Sequence, residues 1–317
     1  SVKTFGNFEY WFSTIKIAAI VGFIILAVYV VFGSGNPDYG VHNYSAHGGF
    51  FPNGLSGLLL SLHMVLFAYV GIEMIGLSAG EAQNPKTTIP MAIDSLTWRI
   101  LIFYLGALLV ILAIFPWNEV GQHGSPFVAM FERIGLREAA GLINFVVITA
   151  ALSSCNAGIF SGGRLLWALS ANGYAPKRFA YLSNNGVPHR AVIGTVCVPM
   201  VGVILNYFVP DKAFHYMMAA VTFVGLMVWV AILYTHYRFR SSLSQKKLSE
   251  LTYRAPWWPY SSWFALGFIF MVIGLMSFHE DARMALVVGP ILLGLYLLLY
   301  FLLGLGKKEK LQLGEQK

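Results

Sequence analysis

The residues most able to do chemistry in this 317-residue chain sit inside its most apolar stretches. The segment Phe67-Ala68-Tyr69-Val70-Gly71-Ile72-Glu73-Met74-Ile75-Gly76 sets one acid and two glycines in a long apolar run. A carboxylate in such surroundings is costly unless it is paired, protonated or hydrated, which makes Glu73 a candidate functional acid by position alone. Gly71 can let the backbone unwind and free carbonyls that a continuous helix would use internally. The structural alternative stands beside this one: Glu73 as a buried acid bonded to a neighbouring helix, Gly71 as a packing glycine. Glu81 follows in Gly80-Glu81-Ala82-Gln83-Asn84-Pro85. Lys16 lies about 10 Å into the first apolar stretch at 1.5 Å per residue. Either it reaches back toward the stretch's end, or it occupies a cation site and carries a proton. In Thr149-Ala150-Ala151-Leu152-Ser153-Ser154-Cys155-Asn156-Ala157-Gly158, small and hydroxyl residues recur at helical spacing. That pattern packs helices closely, and Asn156 is its costliest residue to bury and the one best suited to face a cavity.

The elements that position these residues follow from composition. The chain is 57% hydrophobic and 11% charged, with a mean hydropathy of +0.66, where soluble domains run at about 45–50% apolar and about 25% charged. A soluble enzyme, a nucleic-acid-binding domain and a disordered chain are excluded. The net charge of +7 is spread between apolar runs and reads as topology, with no nucleic acid as partner. Cys155 and Cys197 both fall in apolar stretches, so no disulfide framework is implied. The eight histidines are scattered, and no H-E-x-x-H, Walker, G-x-S-x-G or paired-cysteine motif occurs. This weighs against an ATP-driven pump, an intramembrane metalloprotease and a lipid hydrolase; no catalytic residue, metal or cofactor is expected. Phe145, Phe223 and Trp229 read as core aromatics.

A bilayer core needs roughly 20 mostly apolar residues per helix. Eight stretches meet this, at about 9–32, 55–79, 97–116, 140–169, 191–209, 213–237, 261–279 and 283–305. The expected architecture is an all-α polytopic membrane protein, a single transmembrane domain over 1–317, in contact with membrane lipid. Trp and Tyr gather near span ends, as at Tyr10, Trp11, Trp117, Trp257 and Trp258. Most basic residues fall in alternate loops, with Lys86, Lys177, Arg178, Arg238, Lys246 and Lys247 on one side. Arg133, Arg137, Lys212 and Arg283 fall on the other. The bias predicts a cell-membrane protein with both termini cytoplasmic.

These residues together resemble a known family. The stretch 67–90, with Phe-Ala-Tyr-Val-Gly-Ile-Glu, Ala-Gly-Glu-Ala-Gln-Asn-Pro-Lys and Ile-Pro, resembles the sixth span and following loop of bacterial amino acid permeases. That family belongs to the amino acid–polyamine–organocation superfamily. Supporting matches are Phe8-Glu9-Tyr10-Trp11-Phe12 with Lys16, Trp98-Arg99-Ile100, Phe115-Pro116-Trp117-Asn118, Gly124-Ser125-Pro126-Phe127 and Glu280-Asp281-Ala282-Arg283. The resemblance implies twelve spans built from inverted repeats in a LeuT-like fold, of which this chain would hold the fifth to the twelfth. It implies that Phe67 is an aromatic gate over the substrate and that Tyr69, Val70 and Gly71 form an unwound segment. Glu73 is then an acid coupling gating to protonation, and Glu81 a second acid near the cytoplasmic end. Lys16 stands where sodium-coupled relatives place their ion. Ser153 and Asn156 line the substrate from the eighth span, joined by Thr222 from the tenth.

The implied activity is proton symport of a neutral amino acid, of the proline, threonine or alanine/serine/glycine type, with amino acid and proton as partners. Two alternatives stand: an amino acid exchanger, and a non-transporting truncated membrane protein. On the twelve-span scheme the first four spans are absent, so this chain by itself is expected not to transport.

Overall fold

The computed structural model describes residues 2–77, 82, 84–120, 124–184, 186–251, 253–278, 280–302 and 304. Among these the chain is all helical, without a strand. Helix α1 runs Val2–Gly33, α2 Gly54–Ala68 and α3 Met74–Leu77. Helix α4, Pro85–Arg99, passes through a π-helical turn at Ile100–Gly106 into α5, Ala107–Ile114. Then come α6 (Pro126–Arg133), α7 (Arg137–Ala171), α8 (His189–Phe208), α9 (Pro210–Ser242), α10 (Gln245–Ser249), α11 (Tyr260–Met276) and α12 (Glu280–Leu302).

Six helical segments among the described residues are long and apolar enough to cross a membrane: Gly6–Gly33, Pro85–Ile114, Ala140–Ala171, His189–Phe208, Tyr216–Ser242 and Ala282–Leu302. The other two expected spans, 55–79 and 261–279, appear as shorter apolar helices, Gly54–Ala68 and Tyr260–Met276. Each shortening has a local cause. The first stops where residues 69–73 leave the helix for a series of turns. The second ends as the Ser277 and Phe278 N–H groups turn back onto the carbonyls of Gly274 and Leu275. Most large apolar side chains outside the cores point outward, among them Ile25, Tyr29, Leu142, Phe145, Val201 and Leu295. That is the arrangement a lipid solvent favours, and the chain is a multi-pass membrane protein.

The chain divides into two compact units. The first comprises Ser1–Gly54 and Thr87–Ser161. Its core joins Phe23, Ala27 and Val30 of α1 to Val110, Ile111 and Ile114 of α5, and to Met130 and Phe131 of α6. The spacing of Phe23, Ala27 and Val30 keeps these three on one helix face. Phe23 is 1% exposed and meets the rings of Phe127 and Phe131 at 4.7 and 6.1 Å. The loop after α1 is tied down by Asn43, whose amide donates to the carbonyls of Asp38 and Ala113, both at 2.9 Å. Beside it the Tyr44 hydroxyl donates to the Leu109 carbonyl at 2.9 Å, and burial pushes this phenol's pKa upward. The Arg133 guanidinium pairs with Glu119 at 3.1 Å and lies 4.7 Å from the Phe115 ring centre.

The second unit comprises Leu55–Lys86 and Gly162–Lys317. Helix α9 is its hub, packed against α8, α11 and α12. Phe223 and Leu226 of α9 join Ile269 and Met276 of α11 and Ala282 and Ala285 of α12, with Leu66 and Trp229 against the same cluster. Because Phe23 links three helices of the first unit, Phe23→Ala is expected to destabilise the protein by about 3–5 kcal/mol. A detergent-solubilised thermal melt checks this, with the conservative Phe23→Leu falling between the two.

Candidate functional site

The break after α2 is built from backbone geometry first. In a continuous helix the Gly71 N–H would bond to the Phe67 carbonyl, four residues back. Here that carbonyl accepts from Val70 at 3.0 Å, and i-to-i−3 bonds recur at Tyr69, Ile72, Met74, Ile75 and Gly76. Gly71 takes φ +109°, a conformation side chains rarely adopt, although open space surrounds the position where a Cβ would stand. Its freed N–H donates to Glu73 Oε2 at 3.0 Å. The indole Nε1 of Trp229, on α9, donates to the same oxygen at 3.1 Å. Glu73 thus caps the break and ties it to α9 through two N–H donors. Helix α9 comes close enough because Gly225, one turn before Trp229, has no side chain: a Cβ there would lie 2.8 Å from Val70 Cγ2. Phe67, Tyr69, Val70 and Glu73 are all half-buried. Thr222, on the same helix as Trp229, is buried and donates to the Met218 carbonyl at 2.8 Å.

The first unit carries a second polar cluster. Lys16 Nζ donates to Ser153 Oγ at 2.8 Å, and the Ser153 hydroxyl donates to Glu9 Oε1. Lys16 Nζ lies 3.7 Å from that same carboxylate oxygen. Glu9 and Lys16 are seven residues apart, two helical turns, and so share one face of α1. Ser153 reaches them from α7 and is fully buried. Lys16 also lines a cavity of about 200 Å³ whose other walls are apolar, among them Ile20, Phe23, Phe127 and Val146. The Lys16 side chain thus lies close to the acid two turns back and ends on a defined pair of oxygens, Ser153 Oγ and Glu9 Oε1.

Of the residues singled out from sequence, Phe67, Tyr69, Val70, Gly71 and Glu73 lie in the second unit, Lys16, Ser153 and Asn156 in the first. Asn156, three residues beyond Ser153, is exposed. Glu81 lies outside the described residues. Sequence reasoning misses Glu9, Gly225 and Trp229 as site residues. Glu9 has a readable signal in its seven-residue spacing from Lys16; Trp229 follows Gly225 by four residues but has nothing in its neighbours to separate it from core. Among the described residues no group of three or more His, Cys, Asp or Glu is placed to hold a metal.

The profile of the family described as amino acid permease matches residues 1–313. The chain belongs to the amino acid permease family. Its relatives include the uncharacterized amino acid permease YtnA of Bacillus subtilis, 45% identical over 312 residues, which cover 98% of this chain and 67% of that protein. The probable threonine/serine transporter YbxG of the same organism is 45% identical over 316 residues, 99% of this chain and 68% of that protein. Its amino-acid permease AapA is 37% identical over 303 residues, 95% and 65% of the two chains. This chain therefore spans about two thirds of the length of the relatives it matches.

For a permease, the break and its carboxylate make a joint that two variants take apart differently. Gly71→Ala meets no steric obstacle, so its cost is conformational, about 1–3 kcal/mol. Trp229→Phe keeps the apolar packing and removes one donor from the carboxylate, worth about 1.5–3 kcal/mol for a bond to a charged group. Thermal melts of both variants, against a near-neutral Trp98→Phe control at an exposed position, check the assignment.

Proposed function

We propose that this permease chain serves secondary active transport of a neutral amino acid by proton symport. The observation that carries the reading is the pair of intramembrane ionisable clusters, Glu73 at the helix break and Lys16 with its partners, each bonded to named groups. Membrane-embedded ionisable residues of this kind mark ion and substrate pathways. On this reading the eight apolar helices among the described residues, two of them short, are spans five to twelve of a LeuT-like inverted-repeat fold with both termini cytoplasmic. The backbone of Tyr69, Val70 and Gly71 contacts the substrate's amino group and Phe67 covers it. Glu81 is a second acid in the coupling.

Glu73 takes the coupled proton. As a carboxylate it accepts two charge-assisted hydrogen bonds; once protonated it offers a neutral oxygen, and such bonds are about half as strong. The hold of Gly71 and Trp229 on the break then loosens, which gives the protein a way to link proton binding to a change in the substrate segment. Lys16, in the other unit, carries a positive charge into the membrane without sodium. The threonine/serine label of the 45% identical relative and the lack of further charges around residues 67–73 favour a small neutral side chain.

Purified product of the complete gene, reconstituted in liposomes, tests this with radiolabelled threonine. Saturable uptake driven by an inward proton gradient is expected, inhibited by serine and indifferent to lysine and glutamate, with Lys16→Ala abolishing the gradient's effect. Uptake that requires internal amino acid and ignores the gradient would instead make the protein an exchanger. No uptake, together with Glu73 and Lys16 variants that alter only stability, would make it a non-transporting membrane protein.

A further inference from the structure

We infer that Glu9 is the third member of a proton-transfer chain with Lys16 and Ser153, and that it exchanges protons with the membrane boundary on behalf of Lys16; the inference rests on the proton-symport reading. Three observations carry it. The first is connectivity: Lys16 Nζ donates to Ser153 Oγ at 2.8 Å, and the Ser153 hydroxyl donates to Glu9 Oε1. Ser153 is fully buried, and its one oxygen accepts from one titratable group while its one hydrogen goes to the other. A hydroxyl relays a proton in this configuration.

The second is the unfinished state of Glu9. Its other oxygen, Oε2, is buried without a hydrogen-bond partner. The two side chains of the pair are each about a quarter exposed, but this oxygen itself is shut off from water, and an ion pair that serves stability has such lone pairs satisfied. An acceptor left bare beside a relay is instead a place for an arriving or departing proton. The third is position. Glu9 is three residues and Lys16 ten residues into the span Gly6–Gly33, so Glu9 stands about 10 Å nearer the boundary at 1.5 Å per residue. The walls that face Lys16 from α1, α6 and α7 across its cavity are apolar. On the π-helical turn packed against α1 the titratable group is Tyr104, which is exposed. Within these walls the titratable group Lys16 reaches is Glu9, at 3.7 Å directly and by continuous hydrogen bonds through Ser153.

The transfer balances within the protein. An N–H bond of the Lys16 ammonium breaks as a bond to Ser153 Oγ forms, and the hydroxyl's own hydrogen passes to Glu9 Oε1. Ammonium and carboxylate become amine and carboxylic acid, Ser153 ends as it began, and the net charge of the cluster is unchanged. Release of the proton from Glu9 then leaves Lys16 neutral until the next proton arrives.

Glu9→Gln keeps the shape and an accepting oxygen for Ser153 and removes the capacity to take the proton. Liposomes holding the complete gene product are assayed with radiolabelled threonine in two modes, accumulation driven by an inward proton gradient and counterflow without one. Glu9→Gln is expected to lower the ratio of accumulation to counterflow by about a hundred-fold or more, the scale of a lost proton-transfer group. Ser153→Ala, which leaves the ion pair but not the relay, lowers the same ratio, and Ser153→Thr restores it. A wild-type ratio in Glu9→Gln or in Ser153→Ala overturns the assignment while leaving symport intact, as does parallel loss of both modes in the two variants. If Glu9→Gln does not fold, the Ser153→Ala and Ser153→Thr pair decides alone. Wild-type counterflow that no proton gradient can drive overturns the symport reading and this assignment together.

Discussion

A backbone N–H that leaves a helix must find another acceptor, and the chain around residues 67–76 is arranged to answer that constraint. Breaking α2 releases N–H groups from their usual partners. Most find the carbonyl three residues back; the N–H of Gly71 finds a carboxylate instead. Glu73 is therefore both the costliest residue in the segment and the group that makes the break tolerable. Its oxygen also receives the indole of Trp229, so the same interaction anchors the broken segment to α9. Since α9 is packed against α8, α11 and α12, the break is mounted on the most connected helix of its unit.

The first unit satisfies its polar groups in another way. There an acid and a base share one face of α1 and a serine from α7 bridges them. The two solutions differ in what they permit. At the break, described donors to the carboxylate are neutral N–H groups, so a proton arriving at Glu73 changes the charge of the joint. In the cluster of Glu9, Ser153 and Lys16, a proton can change hands with no change in net charge. In the proposed symport the first serves as a trigger and the second as a relay. The π-helical turn at Ile100–Gly106, within a spanning helix packed on α1, adds a further departure from regular helix beside the relay.

Much of this is legible in the amino-acid sequence. Hydropathy alone separates the chain from soluble proteins, and the misplaced charge of Glu73 and the glycine beside it locate the break to within a residue or two. The partners are less legible because helical spacing reports which residues share a face, not what that face meets. Glu9 reads as one letter of a motif until Ser153 is seen between it and Lys16. Trp229 reads as core, and its ring does pack against the Phe223 and Leu226 cluster; its polar edge is visible only once Val70 is seen against Gly225. The two short spans also escape a hydropathy window, which averages across the turns at residues 69–73 and does not register the helix end at Met276.

The proposed symport turns on Glu73 changing its protonation state during transport. Infrared difference spectroscopy of the reconstituted protein, recorded on addition of threonine, tests that claim most directly. The mechanism predicts a change in carboxylic-acid carbonyl absorption on substrate binding that is missing from the Glu73→Gln variant and retained in Glu9→Gln. A carbonyl difference spectrum identical in wild type and Glu73→Gln would show that Glu73 holds one protonation state throughout, and would contradict it.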